Sequence, residues 1–380
     1  MKNLIFALLF VVLLNGCSTK NAQPETLKDA FEGLFYIGTA LNTNQVAGND
    51  LRADSLVKKQ FNSIVAENCM KSMNIQPEKG VFTFDDADQF VAYGESNEMN
   101  IIGHTLIWHS QAPHWFFTDS EGNNVSPEEL AARMREHIFT LMGRYKGRIQ
   151  GWDVVNEAIE DDGEFRNSKF YQILGEDYIR LAFEYAHEAD PDAELYYNDF
   201  SMNKPGKREG VVRMVKTLQQ QGVQIDGVGM QGHYLLNEPT IDEVETSIVA
   251  FSELGVKVMF TELEITVLPW PGENITADVS LSIEFQSKYN PYADGISLEA
   301  DQALNQRYID LFNLFIKHSE KIGRVTFWGV TDDNSWKNNW PIFGRSDYPL
   351  LFDRDYQPKA AVNSLIDAAI EKKTTIILKK

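Results

Sequence analysis

Cysteine is nearly missing from this chain: 380 residues contain two, Cys17 and Cys69. That scarcity excludes a disulfide-stapled scaffold and the zinc modules built from several thiolates. Positive charge is also in short supply, 35 Lys and Arg against 55 Asp and Glu, for a net charge of -20. Nucleic acids are held through phosphates by clustered basic side chains, so no nucleic-acid partner is expected; a neutral polymer stays open as substrate. The seven histidines include no H-x-H pair, and the sequence gives no reason to expect a metal or a cofactor. Internal repeats, low-complexity tracts and inter-domain linkers are absent as well. What is abundant is core material, 43% hydrophobic and 12% aromatic, which excludes general disorder.

A long apolar run is lacking too. Leu4 to Leu14 is too short to span a bilayer, but with Lys2 before it and Leu14-Asn15-Gly16-Cys17 after it, the stretch reads as an export signal. It resembles a bacterial lipoprotein signal, which implies lipidation of Cys17 and a membrane-anchored, periplasmic or cell-surface protein touching the membrane only through that anchor. An ordinary secretory signal with an incidental cysteine is the alternative. Cys69 is then alone beside an apolar strand and reads as inert core. The expected organisation is a signal over 1–17, a polar tether over 18–30, one catalytic domain over 31–370 and a tail over 371–380, acting as a monomer.

Along the domain, short apolar runs alternate with amphipathic stretches. Strands are predicted near Phe35–Gly38, Ser63–Ala66, Ile101–His104, Gly151–Val155, Leu195–Tyr197, Gly227–Met230, Val256–Phe260 and Val325–Trp328. Helices fall between them, among them Glu128–Tyr145 behind a Ser126-Pro127 start, Tyr178–Ala189, Lys207–Gln221 and Ala303–Ser319. About eight strand-helix units in one chain predict an α/β fold of the closed (β/α)8, or TIM, barrel type. An open doubly wound sheet would want a Gly-rich turn after its first strand, and none is there. Pro269 to Asp301, punctuated by Pro, Gly and Asn, reads as a long loop with a small helix over the barrel mouth.

Polar residues cluster where the predicted strands end: Glu67 and Asn68, His104, Asn156 and Glu157, Asn198, Gln231 and His233, Glu262 and Glu264, then Trp328. In a parallel barrel all these ends open on one face, so residues scattered along the chain converge on one cleft. Two carboxyl groups there suit cleavage of an acetal between sugars, which needs a proton on the departing oxygen and a negative group against an oxocarbenium-like carbon. Glu157 is assigned as acid/base and Glu262 as nucleophile. The acid must hold its proton near neutral pH, which an ionised neighbour favours until that neighbour is esterified. Strand alternation puts Gln231 with His233 on one face and Glu262 with Glu264 on another, so a histidine between two acids can steady the nucleophile. Trp108, Trp328 and Trp336 offer flat faces to pyranose rings; Lys71, Asn68, Asn156 and His104 offer hydrogen bonds to hydroxyls. Each indole or histidine alone reads first as core; their joint placement at strand ends favours the site.

The motifs Glu67-Asn68-Cys69-Met70-Lys71, Gly103-His104-Thr105-Leu106-Ile107-Trp108-His109, Trp152-Asp153-Val154-Val155-Asn156-Glu157, Gln231-Gly232-His233, Thr261-Glu262-Leu263-Glu264 and Phe327-Trp328-Gly329-Val330 through Trp336 closely resemble family 10 glycoside hydrolases, chiefly endo-β-1,4-xylanases. The resemblance runs from about Phe35 to Pro358. It implies hydrolysis of internal xylan bonds with retention of configuration. It also implies that Glu67, Asn68 and Lys71 bind the sugar two places from the scissile bond. Lys71, His104, Trp108, Asn156, Gln231, His233, Trp328 and Trp336 would surround the sugar being cleaved, with Asn198 beside them. Two positions depart from the common pattern: Glu264 stands where many members carry Asp, and Tyr197-Asn198-Asp199-Phe200 where many end in Tyr. Phe200 can stack on the leaving-group sugar but donates no hydroxyl. A membrane-anchored glycan binder without catalysis is the reading from another class; it has no need of both carboxylates.

Overall fold

The computed structural model describes residues 25–270 and 288–378. Nine strands, β1 (Tyr36–Leu41), β2 (Ser63–Ala66), β3 (Asn100–Trp108), β4 (Gly151–Asn156), β5 (Glu194–Asp199), β6 (Gly227–Met230), β7 (His233–Leu235), β8 (Lys257–Thr266) and β9 (Ile322–Phe327), form one all-parallel sheet. β1 pairs with both β2 and β9, and β6 pairs with β8, so eight strands close into a barrel. β7 resumes after the break at Gln231-Gly232 and pairs with the far half of β8 beyond the barrel wall. The chain is therefore a single α/β domain of the (β/α)8 barrel type.

Strands enclosed on both faces are mostly apolar, and β2, β4 and β6 are buried at every position, the polar Ser63, Asp153 and Asn156 included. Ala40, Val65, Ile102, Tyr196, Met259 and Trp328 fill the barrel interior as one cluster, while the larger core lies between strands and helices. Packing is tight enough to require glycine at two wall positions: a Cβ on Gly103 would lie 2.1 Å from the Trp152 ring, and one on Gly151 would lie 2.5 Å from Tyr196. Helix starts follow their caps. Ser126 accepts from the Glu129 amide with Pro127 at the first turn of Pro127–Arg144, and Thr240 with Glu243 makes a capping box for Ile241–Ser252.

The barrel strands outrun several predicted ends. β3 continues to Trp108 and β8 to Thr266, so Glu262 and Glu264 lie inside a strand and not past its exit. Local alternation marks where a strand begins to be buried, but pairing with β7 and β9 is what carries β8 past the rim. The domain also starts earlier than expected. Leu27–Phe31 is helical and Leu27, Ala30 and Phe31 are buried, so part of the expected 18–30 tether is core. At the other end the helix Ala361–Leu378 carries the expected 371–380 tail as far as Leu378, and Lys373 donates to the carbonyls of Asp29 (3.1 Å) and Glu32 (3.4 Å). Within the expected loop, Leu298 to Asp301 is the first turn of helix Leu298–Lys317. The signal call at Cys17 and the middle of that loop lie outside the described residues. Among the described residues no helix is long and apolar enough to cross a membrane.

Candidate active site

Register brings the polar strand ends level: Trp108 pairs with Asn156, Asn156 with Asn198, and His233 with Glu264. The wall is irregular beside this level, with register shifts between His104 and Ile107, between Asp153 and Val155, and between Phe260 and Leu263. Such bulges re-aim side chains at a barrel rim.

Glu157 follows β4 directly. Its carboxylate accepts from the Trp108 indole (2.9 Å) and from Gln231 Nε2 (3.0 Å). Its backbone is left-handed, φ 60°. For a residue with a Cβ that conformation costs on the order of 1–3 kcal/mol, and it persists only where neighbours enforce it. Glu262 is buried on β8 and accepts from Asn198 Nδ2 (2.9 Å), while His233 Nε2 lies 3.2 Å from its second oxygen. The two carboxylates are linked through Asn156, whose Oδ1 accepts from Asn198 Nδ2 (3.0 Å) and Gln231 Nε2 (3.4 Å). Asn198 sets that orientation, since its own Oδ1 is taken by Thr261 Oγ1 at 2.6 Å. Turning the Asn156 amide over would set two NH2 groups face to face at 3.0 Å.

His233 sits between two acids. Its Nδ1 is 2.8 Å from Glu264, which is fully buried and also receives the Trp336 indole (2.7 Å) and Ser335 Oγ (3.4 Å), with Lys337 Nζ at 3.7 Å. Burial works against the imidazolium, but the hydrogen bonds and charges of Glu262 and Glu264 outweigh it and raise His233 to about 9. Burial likewise opposes ionisation of Glu262; His233, the charge of His104 and the Asn198 bond overcome it and hold the carboxyl below the usual range. The extra methylene of Glu264 is thus accommodated, with His233 and Trp336 both in reach.

Lys71 donates to Asn68 (3.0 Å), Asn68 donates to Glu67 (3.1 Å), and the Lys71 ammonium lies 5.1 Å from the Trp108 ring and 5.9 Å from that of Trp328. Burial pushes the Lys71 ammonium down and the Glu67 carboxyl up, each against the charge of its neighbours. His104 is edge-on to Trp328 at 5.4 Å. The Phe200 ring lies 3.7 Å from the Lys207 ammonium and 5.8 Å from the Arg166 guanidinium. Cys69 is buried and its thiol is pushed up to about 12 by that burial.

Sequence reasoning passed over Asp153, which holds His104 Nδ1 at 2.9 Å, and Arg166, which donates to the Glu157 carbonyl at 2.8 Å. A charged residue inside the apolar run Trp152-Asp153-Val154 was the available signal, because a buried charge needs a partner. Among the described residues no three His, Cys, Asp or Glu side chains are placed to hold a metal ion.

Residues 26–368 match glycosyl hydrolase family 10. An endo-1,4-beta-xylanase A of Xylanibacter ruminicola is 46% identical over 96% of this chain and 99% of its own length. An endo-1,4-beta-xylanase of Geobacillus stearothermophilus is 40% identical over 88% of this chain and 96% of its own. Among solved structures, an endoxylanase of the same family retrieved from a sugarcane soil metagenome superposes with TM-score 0.86 at 44% identity, covering 90% of this chain and 99% of that one. The match spans nearly the whole described barrel, including every strand that supplies the cleft, and the chain belongs to glycosyl hydrolase family 10.

Proposed function

We propose that this glycoside hydrolase cleaves internal β-1,4 bonds of xylan with retention of configuration, Glu157 serving as acid/base and Glu262 as nucleophile. The observation that carries the reading is the contrast between the two carboxylates. Glu262 is buried against an imidazolium and an amide that favour its anion. Glu157 accepts side-chain hydrogen bonds from an indole and from the amides of Gln231 and Asn156, all neutral donors. In a retaining enzyme the two carboxyl groups stand about 5 to 5.5 Å apart, and the shared Asn156 amide is consistent with such closeness. Xylan as substrate is supported by the xylanase relatives and by a 34% identical mutant structure in complex with xylotriose. Two carboxylates held in different electrostatic settings speak against a pure glycan binder, which has no use for them.

In the first step Glu157 protonates the departing oxygen while Glu262 attacks the anomeric carbon. Esterification removes the Glu262 charge, and Glu157, now a carboxylate, takes a proton from the water that releases the sugar. Glu67, Asn68 and Lys71 bind the next sugar on the non-reducing side; His104, Trp108, Trp328 and Trp336 enclose the sugar being cleaved. Phe200 offers a ring to the leaving sugar.

The deciding experiment is product release over time from xylan, cellulose and mixed-linkage glucan, with proton NMR of the first anomer formed. Internal cuts in xylan with an initial β product are expected, and abolished in Glu262→Ala. An initial α product, or xylan cleavage surviving that change, would overturn the mechanism. The export reading stands on Lys2, Leu4 to Leu14 and Cys17.

A further inference from the structure

The left-handed backbone of Glu157 needs something to hold it, and β5 supplies it from the side away from the cleft. Along β5, Asn198 turns to Glu262 and Tyr196 to the barrel interior, while Tyr197 packs in the outer core. The Tyr197 hydroxyl accepts two consecutive amides that follow Glu157: Ala158 N at 3.0 Å and Ile159 N at 3.2 Å. Its own proton goes to Asp199 Oδ2 at 2.5 Å. A phenol has two acceptor sites and one donor, and all three are used. Asp199 is fixed in turn by Lys207, whose ammonium lies 2.8 Å from Oδ1; Tyr197, Asp199 and Lys207 are all 0% exposed.

The rest of the loop is clamped to match. Glu157 N donates to the Asn198 carbonyl at 2.9 Å, and Arg166 returns to the Glu157 carbonyl. The turn at Gly163 lies on helix Pro205–Gln220 so closely that a Cβ on Gly163 would sit 2.4 Å from the Gly206 carbonyl oxygen. Resting on the acid assignment above, we propose that Tyr197, braced by Asp199 and Lys207, is a positioning residue for the acid. Its hydroxyl ties down the two peptides after Glu157, so that the strained residue cannot relax and its carboxyl stays aimed at the departing oxygen. Tyr197 touches no reacting atom. It acts through the Glu157 backbone alone.

Tyr197→Phe removes one oxygen and leaves the ring. In the first step, which kcat/KM reports, a misaimed acid matters only to substrates that need protonation, and general acid catalysis is worth roughly 10²–10⁴-fold. On xylo-oligosaccharides or aryl xylobiosides with poor leaving groups, kcat/KM should fall by about tenfold or more. On a dinitrophenyl xylobioside it should fall by less than about threefold, which also shows that the variant is folded. Equal losses on both substrates, or no loss on either, would overturn the proposal. Asp199→Asn is the second variant, to be read if Tyr197→Phe does not fold. With an amide nitrogen facing the hydroxyl, the tyrosine oxygen meets a third donor, and the same leaving-group selectivity is expected; its absence overturns the proposal. Glu157→Ala run in parallel separates the layers. If it too loses both substrates equally, the acid assignment fails and this inference with it. If it is selective and Tyr197→Phe is not, the positioning role alone fails.

Discussion

His233 provides a quantitative test of how the nucleophile is kept ionised. Its rise from 6.5 to about 9 reflects burial opposed, and outweighed, by Glu262 at 3.2 Å and Glu264 at 2.8 Å. At about 1.36 kcal/mol per pH unit the rise is worth on the order of 3 kcal/mol, and the depressed carboxyl of Glu262 is the same interaction seen from its partner, not an additional gain. A group whose pKa is raised on folding contributes its full stabilisation below its unfolded value. That contribution is therefore present below about pH 6.5 and is lost as pH climbs through about 9. Past that point a neutral imidazole has one N–H for two carboxylates, and one of them loses its donor. Urea unfolding of the wild type and of His233→Gln at several pH values between 6 and 10 isolates the effect. The wild type should lose up to about 1.4 kcal/mol more per pH unit than the variant within the window, and its kcat/KM should decline on the alkaline side near the same pH. Parallel stability curves for the two proteins, or an imidazole NMR titration with its midpoint below 7, would refute the account.

Three further outcomes follow from other contacts. Glu264→Asp shortens a buried carboxylate that now meets both His233 and Trp336, so one contact opens; kcat should fall with a KM change of lesser size, and unchanged kinetics would show that the longer side chain is incidental. Gly163→Ala adds a Cβ at φ 90° against the Gly206 carbonyl, and a loss of about 1–3 kcal/mol is expected by thermal or urea unfolding, with a neutral effect contradicting the close packing of that turn. Cys17→Ala should abolish incorporation of labelled fatty acid in cells; label that persists would place any lipid elsewhere and remove the anchor from the export reading.

The alternation of short apolar runs with amphipathic stretches was sufficient for the barrel, because strands buried on both faces and helices buried on one leave different periods in the sequence. The ends of those runs also exposed Glu157, Asn198, Gln231, His233 and Glu262, since a polar residue after a short apolar run stands out locally even where, as at Glu262, the strand continues past it. What local pattern does not carry is the partner. That His233 faces Glu262 and Glu264 together depends on β7 resuming against the far half of β8, a pairing between segments remote in sequence. The Asp153 bond to His104, the hold of Tyr197 on the Glu157 loop and the burial of Lys207 against Asp199 likewise join residues that no short window contains. The extent of the domain was also decided in three dimensions, where Leu27, Ala30 and Phe31 find a hydrophobic surface to cover and Lys373 reaches the Asp29 carbonyl. Periodicity reports which side of an element is buried; only the closed barrel determines against what, because the energy of a buried polar group is set by the neighbour that satisfies it.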